Sequence, residues 1–212
     1  EGRIATRWRL RVNVDETWRR NEHPLTASYR RKRAEPAEAT AEDAAVAEEE
    51  RLVAELELLG VRYLSRQSSY QASHVRAPER LLADLARQPS ARVRGAVIAV
   101  LLSHPRHADA VPAALRRLSA PDRLTLQSLY TAAVFLQREH VDRLRPVVGE
   151  RWRWLPDLVS GDLGLPTVGP PRERLRLLDL EMRYRTGARV NWLGTYEAVV
   201  HKLIQDLERQ PS

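Results

Sequence analysis

Between Pro78 and Gln137, short apolar-periodic segments follow one another with almost no connecting chain. Pro89-Ser90 opens onto Ala91-Arg92-Val93-Arg94-Gly95 and then onto the small and aliphatic run Ala96–Leu102. Pro121-Asp122-Arg123-Leu124 starts a second passage of the same kind 32 positions later and leads into Leu129–Leu136. A period of this length belongs to stacked helical hairpins, in which each unit hides its apolar face on the next. Val93, Val97, Val100 and Leu101 keep the spacing of a buried helical stripe, as do Val111, Ala114, Leu115 and Leu118. Leu129–Leu136 is apolar nearly all round, which predicts a helix at the centre of the core. Helices are therefore expected over about Pro78–Arg87, Ala91–Ser103, Ala108–Leu118, Asp122–Arg138 and Val141–Val148. Residues 78–148 form the expected core. The expected fold class is all-α, either as stacked helical hairpins or as an irregular helical bundle.

The flanking segments differ in kind. Residues 4–14 alternate: Ile4, Thr6, Trp8, Leu10, Val12 and Val14 fall on one face and arginines dominate the other. A period of two with β-branched and aromatic residues predicts an extended or β arm, for which Val61–Leu64 is the one candidate partner in the rest of the chain. A second molecule is the other cover for that face, which makes a homo-oligomer one expectation. Residues 1–33 are thus a basic arm and linker, and residues 34–60 an acidic Ala/Glu-rich helix opened by Pro36 and closed by Gly60 at C′. Within that helix Val46, Leu52, Val53, Leu56 and Leu59 make the docking face. Residues 61–77 read as a polar crossover, residues 149–171 as a Pro/Gly-rich loop, and residues 172–212 as a C-terminal hairpin turning at Thr186-Gly187. A loop that long serves as a lid, a binding loop or a packed cover.

Charge narrows the list of partners only in part. The 212 residues carry a net +7, and 33 of the 35 basic residues are arginine. Residues 1–33 hold +6, residues 34–59 hold −8, and residues 60–212 hold +9. Arginine is suited to bidentate contact with phosphate and carboxylate, but a coding bias against lysine would produce the same ratio. The acidic segment lies between two basic ones, so intramolecular neutralisation is expected. No apolar run approaches the roughly 18–20 residues of a membrane span, and no membrane partner is expected. Cysteine is absent, which removes disulfides, thiolate metal sites and a cysteine nucleophile. Glu1-Gly2-Arg3-Ile4 has neither an initiator Met nor a signal-like apolar core, so a trimmed start and a cytoplasmic location are expected.

The run from Leu85 to Leu102 resembles a HEAT-type repeat: a short helix, a turn with proline, and a second helix containing arginine. The second copy departs from that pattern, with Leu124-Thr125-Leu126 where the first has Arg92-Val93-Arg94. The resemblance covers about a third of the chain and implies a surface for macromolecules rather than chemistry. Tyr130-Thr131-Ala132-Ala133, Asn191-Trp192 and Thr195-Tyr196-Glu197 are loosely similar to uncharacterised bacterial helical proteins encoded beside nucleotidyltransferase-like toxins. That similarity implies an antitoxin-like, neutralising role.

Candidate sites follow from residue chemistry. Arg151-Trp152-Arg153-Trp154 interleaves cations with indoles, which suits a protein interface, a stack of single-stranded bases, or a cap on the core beside the long loop. Arg172, Arg174 and Arg176 stand at a helix start, where the dipole disfavours cations, and call for carboxylates or phosphates. Trp8, Leu10, Arg11, Arg151, Trp152, Arg153, Trp154, Arg172 and Arg176 are the candidate partner-binding residues, and Arg30, Arg31, Lys32 and Arg33 the alternative nucleic-acid contacts. His104 and His107 flank a proline, with Asp109 nearby, but no further His pair exists at ligand spacing. A solvated turn, with a histidine on the helix dipole, is expected there rather than a metal. No GxSxG elbow, Walker-type loop or HExxH occurs. The reading is therefore a non-enzymatic helical adaptor without a cofactor, binding a protein, with nucleic-acid binding as the alternative.

Overall fold

The computed structural model describes residues 36–64 and 70–209, with side chains from residue 43 onward. These residues are helical, and no strand occurs among them. The chain divides into two compact units, residues 1–46 and 47–212. Of the first, only the opening of helix α1 (Pro36–Leu58) is described, and its side chains at Asp43–Val46 are exposed. The expected strand over residues 4–14, with Trp8, Leu10 and Arg11, lies outside the described residues, as do Arg30, Arg31, Lys32 and Arg33.

The second unit begins with the docked half of α1, where Leu52, Val53 and Leu56 are buried. Val46, expected on that face, is instead 56% exposed. It sits two turns before the first buried position, on the part of the helix rich in Ala and Glu. Gly60 ends the helix at a φ of +77, a left-handed conformation that carries almost no penalty without a Cβ. The Gly60 and Val61 amides then return to the Glu57 and Leu56 carbonyls, closing the carbonyl-capping motif that such a glycine permits. Val61 and Leu64 are fully buried in a turn, so this segment belongs to the core and forms no strand among the described residues; the arm expected to pair with it lies outside them. A short segment such as Val61-Arg62-Tyr63-Leu64 suits a turn with buried ends as well as a strand, and period alone does not separate them.

Helices α2 (Pro78–Arg87), α3 (Ala91–Arg94) and α4 (Ala96–Ser103) come next. The single helix expected over 91–103 is broken at Gly95. A Cβ at Gly95 would stand 3.0 Å from a Val199 methyl, so glycine here allows a later helix to approach closely. The expected helix over 108–118 is also divided, into a 3-10 turn (Pro105–Ala110) and α5 (Val111–Arg116). Pro105 and Pro112 explain this, since neither has an amide hydrogen and each favours a first-turn position.

Helix α6 (Ala120–Glu139) runs through the middle of the unit, and every side chain from Ser128 to Gln137 is buried. It packs against α2, α4, α5, α7 (Val141–Val148), α8 (Pro171–Thr186) and α9 (Trp192–Arg209). The near-continuous apolar run of its sequence reflects this, because no side of its second half faces water. The C-terminal pair α8–α9 closes the core, α8 against α6 and α9 against α4 and α7. No helix among the described residues is long and apolar enough to cross a membrane.

Candidate functional site

The segment from Gly149 to Pro170 is a packed cover fixed from below by three side chains. Gln137, fully buried on α6, donates to the Arg153 carbonyl at 2.9 Å and accepts from the Leu155 amide at 2.8 Å. It thus imitates the two bonds of a neighbouring strand. Two turns earlier on the same face of α6, the Tyr130 hydroxyl donates to the Pro156 carbonyl at 2.5 Å, and burial raises that phenol far above its ordinary range. From α8, Arg174 reaches Asp157 at 2.8 Å and lies 4.0 Å above the Phe135 ring, with only 4% of its side chain exposed. Burial acts to raise the Asp157 carboxyl, but hydrogen bonds from Arg174 and Ser160 outweigh it and hold the group below its ordinary 3.8.

This anchoring decides the fate of the Trp/Arg run. Trp152 is half-buried against the core, and Trp154 meets it edge-on at 5.4 Å while remaining 53% exposed. Arg153 pairs with Asp109 and Arg172 with Glu197, so both cations are answered inside the fold. Arg151 is exposed beside His104. Arg176 is exposed, with no ion pair among the described residues. Of the three arginines that open α8, the buried Arg174 thus anchors the cover, Arg172 is paired, and Arg176 stands free.

The His104–Asp109 turn is not the solvated one expected. His104 is half-buried and its Nε2 lies 2.6 Å from the Leu59 carbonyl, so that nitrogen carries the hydrogen and donates. Arg151, 3.5 Å away, is then a cationic neighbour and not a partner. Desolvation, with the Arg151 charge added, holds the His104 pKa below 6.5, and His107 is lowered by desolvation and by His104. His104 thus uses its ring on the Leu59 carbonyl just past the end of α1, and its backbone amide on the Val100 carbonyl at the end of α4. Among the described residues no three His, Asp or Glu side chains converge as metal ligands.

Intramolecular neutralisation takes a specific form at Arg76. It binds Glu48 at 2.7 Å, Glu55 at 2.7 Å and Asp84 at 2.6 Å, and so fastens the polar crossover to α1 and α2. Neither this hub nor the Arg174 anchor was foreseen, since each pairs residues far apart in the chain.

Sequence reasoning also missed the outer face of α8. Leu175, Leu178 and Met182 are buried on one side of that helix, while Leu177, Leu180 and Tyr184 are 42%, 60% and 86% exposed. At 100° per residue the two sets centre on opposite sides, so α8 carries one apolar stripe inward and a second outward. The signal was present as the i, i+3, i+7 spacing of Leu177, Leu180 and Tyr184. The chain matches no protein-family model, no curated protein and no solved structure.

Proposed function

We propose that the protein is a non-enzymatic helical adaptor, and that a protein partner docks on the outward stripe of α8. The observation that carries this reading is the second apolar face, Leu177–Leu180–Tyr184, on a helix whose other face is already satisfied by the core. A partner helix laid along three such positions would bury them as i, i+3, i+7 anchors. Arg176 beside the stripe, and the net +7 of the chain, favour a partner whose contact face is apolar with acidic flanks. In this reading α2 with α3–α4, and α5 with α6, are two HEAT-type hairpins that support the docking helices. The looser similarity to toxin-associated proteins makes a neutralising, antitoxin-like role its most specific form. The basic arm, with Trp8, Leu10 and Arg11, adds a second contact or a homotypic one. Leu10→Asp is then expected to weaken association while leaving helical content unchanged.

The test is co-purification of the native full-length protein, followed by mass spectrometry, in parallel with a Leu180→Glu variant. A stoichiometric partner that is lost in the variant, at unchanged thermal stability, supports the reading. A strictly monomeric protein without a captured partner contradicts it. Nucleic-acid binding has one observation in its favour, an exposed Trp154 indole in the same short run as the exposed Arg151. It requires binding that weakens steeply with salt, by a log–log slope of about 0.9 for each phosphate neutralised on duplex DNA. The pairing of Arg153 and Arg172 inside the fold weighs against it.

A further inference from the structure

Between the turn after α1, the start of α3 and the first turns of α9 lies an open cavity of about 440 Å³. That volume falls within the range of small-molecule pockets, roughly 300–1,000 Å³. Tyr63, Ala91, Ala198 and Val199 make its apolar part, and none of its lining residues is acidic. Arg92, Lys202 and Asn191 are the side chains in its wall that can serve an anion.

All three are exposed and keep hydrogens to give. Arg92 spends one terminal nitrogen on the Leu64 carbonyl at 3.2 Å, which orients the guanidinium without neutralising it. Neither Arg92 nor Lys202 has a carboxylate partner among the described residues. Asp206, one turn beyond Lys202 on α9, is taken by the Arg62 amide at 2.8 Å. Asn191 caps α9: its Oδ1 accepts from the Gly194 amide at 2.9 Å. With the oxygen so assigned, both Nδ2 hydrogens are left over. Gly194 makes this possible, since a Cβ there would stand 2.5 Å from that nitrogen. The amides of the first turn are themselves engaged, Leu193 on Asp179 and both Gly194 and Thr195 on Asn191. An anion in the cavity is therefore a matter for side chains and not for the end of a helix.

A guanidinium, an ammonium and an amide around one cavity, with no carboxylate among them, suit an acceptor with several oxygens and more than one negative charge. A carboxylate offers two oxygens and a single charge. A phosphate monoester offers three, with a charge of about −1.5 to −2 at neutral pH, which answers both cations. We propose that this cavity binds a small phosphomonoester, whose phosphate oxygens accept from Arg92, Lys202 and Asn191 while its organic body lies against the apolar part. None of the lining residues belongs to α8, so the site is separate from the outward stripe and does not depend on the adaptor reading.

Calorimetric titration of the full-length protein with phenyl phosphate, in phosphate-free buffer at physiological ionic strength, tests the proposal. Phenyl phosphate is expected to saturate one site, with benzoate binding more weakly and phenol more weakly still. Asn191→Asp keeps the capping oxygen and sets a carboxylate in the wall, so the melting temperature should hold or rise while phenyl phosphate affinity falls at least about tenfold. Lys202→Gln should also lower that affinity about tenfold. Lys202 makes no hydrogen bond or ion pair among the described residues, so its variant decides the matter even where Asn191→Asp melts earlier. Arg145→Gln, which removes an exposed cation of α7 outside the cavity, should leave binding unchanged. No saturable binding of phenyl phosphate overturns the proposal, as does benzoate binding equally well. Wild-type affinity in Lys202→Gln places any site elsewhere and overturns it too. So does an equal loss in Arg145→Gln, because the attraction would then belong to the net charge of the whole chain.

Discussion

Asp157→Asn is expected to cost more stability than removal of its partner, Arg174→Met. In the folded protein the Arg174 guanidinium is 4% exposed, Asp157 is its one carboxylate at 2.8 Å, and the Asp157 side chain is itself 22% exposed. Asp157→Asn leaves a buried cation with a Ser160 hydroxyl at 3.4 Å and the Phe135 ring at 4.0 Å. Breaking a buried pair in this way costs about 3–5 kcal/mol, and the partial exposure of Asp157 puts the value near the lower end, at about 3 kcal/mol. Arg174→Met removes the cation, keeps an apolar body against Phe135 and leaves Asp157 on its wet side, so a loss of about 1 kcal/mol is expected. The double variant should resemble Arg174→Met alone, a non-additivity of about 3 kcal/mol. Urea unfolding followed by circular dichroism at neutral pH measures all three, and the single Asp157→Asn change should lower Tm by about 6–12 °C in a chain of this size. The pH dependence has a definite sign. Because the folded Asp157 pKa lies below 3.8, its contribution is complete above the unfolded value and is lost as pH falls through the folded one. The gap between wild type and Asp157→Asn should therefore be constant near neutrality and close in acid below about pH 4. Additive losses, or a larger loss for Arg174→Met, would refute the anchor.

Arg76→Gln leaves Glu48, Glu55 and Asp84 facing one another with Glu55 buried, and should cost about 3 kcal/mol by thermal unfolding at neutral pH. His104, His107 and His140 all have pKa values lowered chiefly by desolvation. The unfolded chain therefore binds more protons, and stability should fall as pH drops from about 7 to about 5, less so in His104→Gln; a Tm flat over that range would oppose this. Gln137→Leu removes both bonds to the loop backbone and strands the Leu155 amide, so a loss of about 2 kcal/mol should accompany faster amide exchange at Arg153–Leu155.

Local periodicity made the helices legible, and tertiary pairing is where it stopped. The central position of α6 could be read from Leu129–Leu136 because a helix buried on all sides has no polar face to show. The start of α8 beside Pro171 and the turn at Gly187, whose φ is +64, likewise follow from the special backbone of those residues. The close approach at Gly95 involves Val199, more than a hundred residues away, and no window around Gly95 contains that contact. The same holds for Arg76, whose three carboxylates come from two helices, and for His104, whose pKa is lowered by burial and by the Arg151 charge against the opposing pull of the Leu59 carbonyl. Among the candidate site residues, the alternation of Arg151–Trp154 marked a surface segment but not which members were already engaged. Asp109 and Glu197, which answer Arg153 and Arg172, are distant in sequence. The outward stripe of α8 was legible in principle, yet its inward stripe shares the helix, and two opposed stripes blur into a helix without a clear apolar side.

The adaptor reading stands or falls on whether Tyr184, 86% exposed on the outward stripe, touches another protein. Site-specific photocrosslinking from position 184 in the full-length protein, expressed in its native background, measures this directly. The account predicts one discrete adduct with a different protein, lost when Leu180→Glu is introduced and absent when the crosslinker sits at the buried-face position 178. No adduct, or an identical adduct pattern with and without Leu180→Glu, would contradict it.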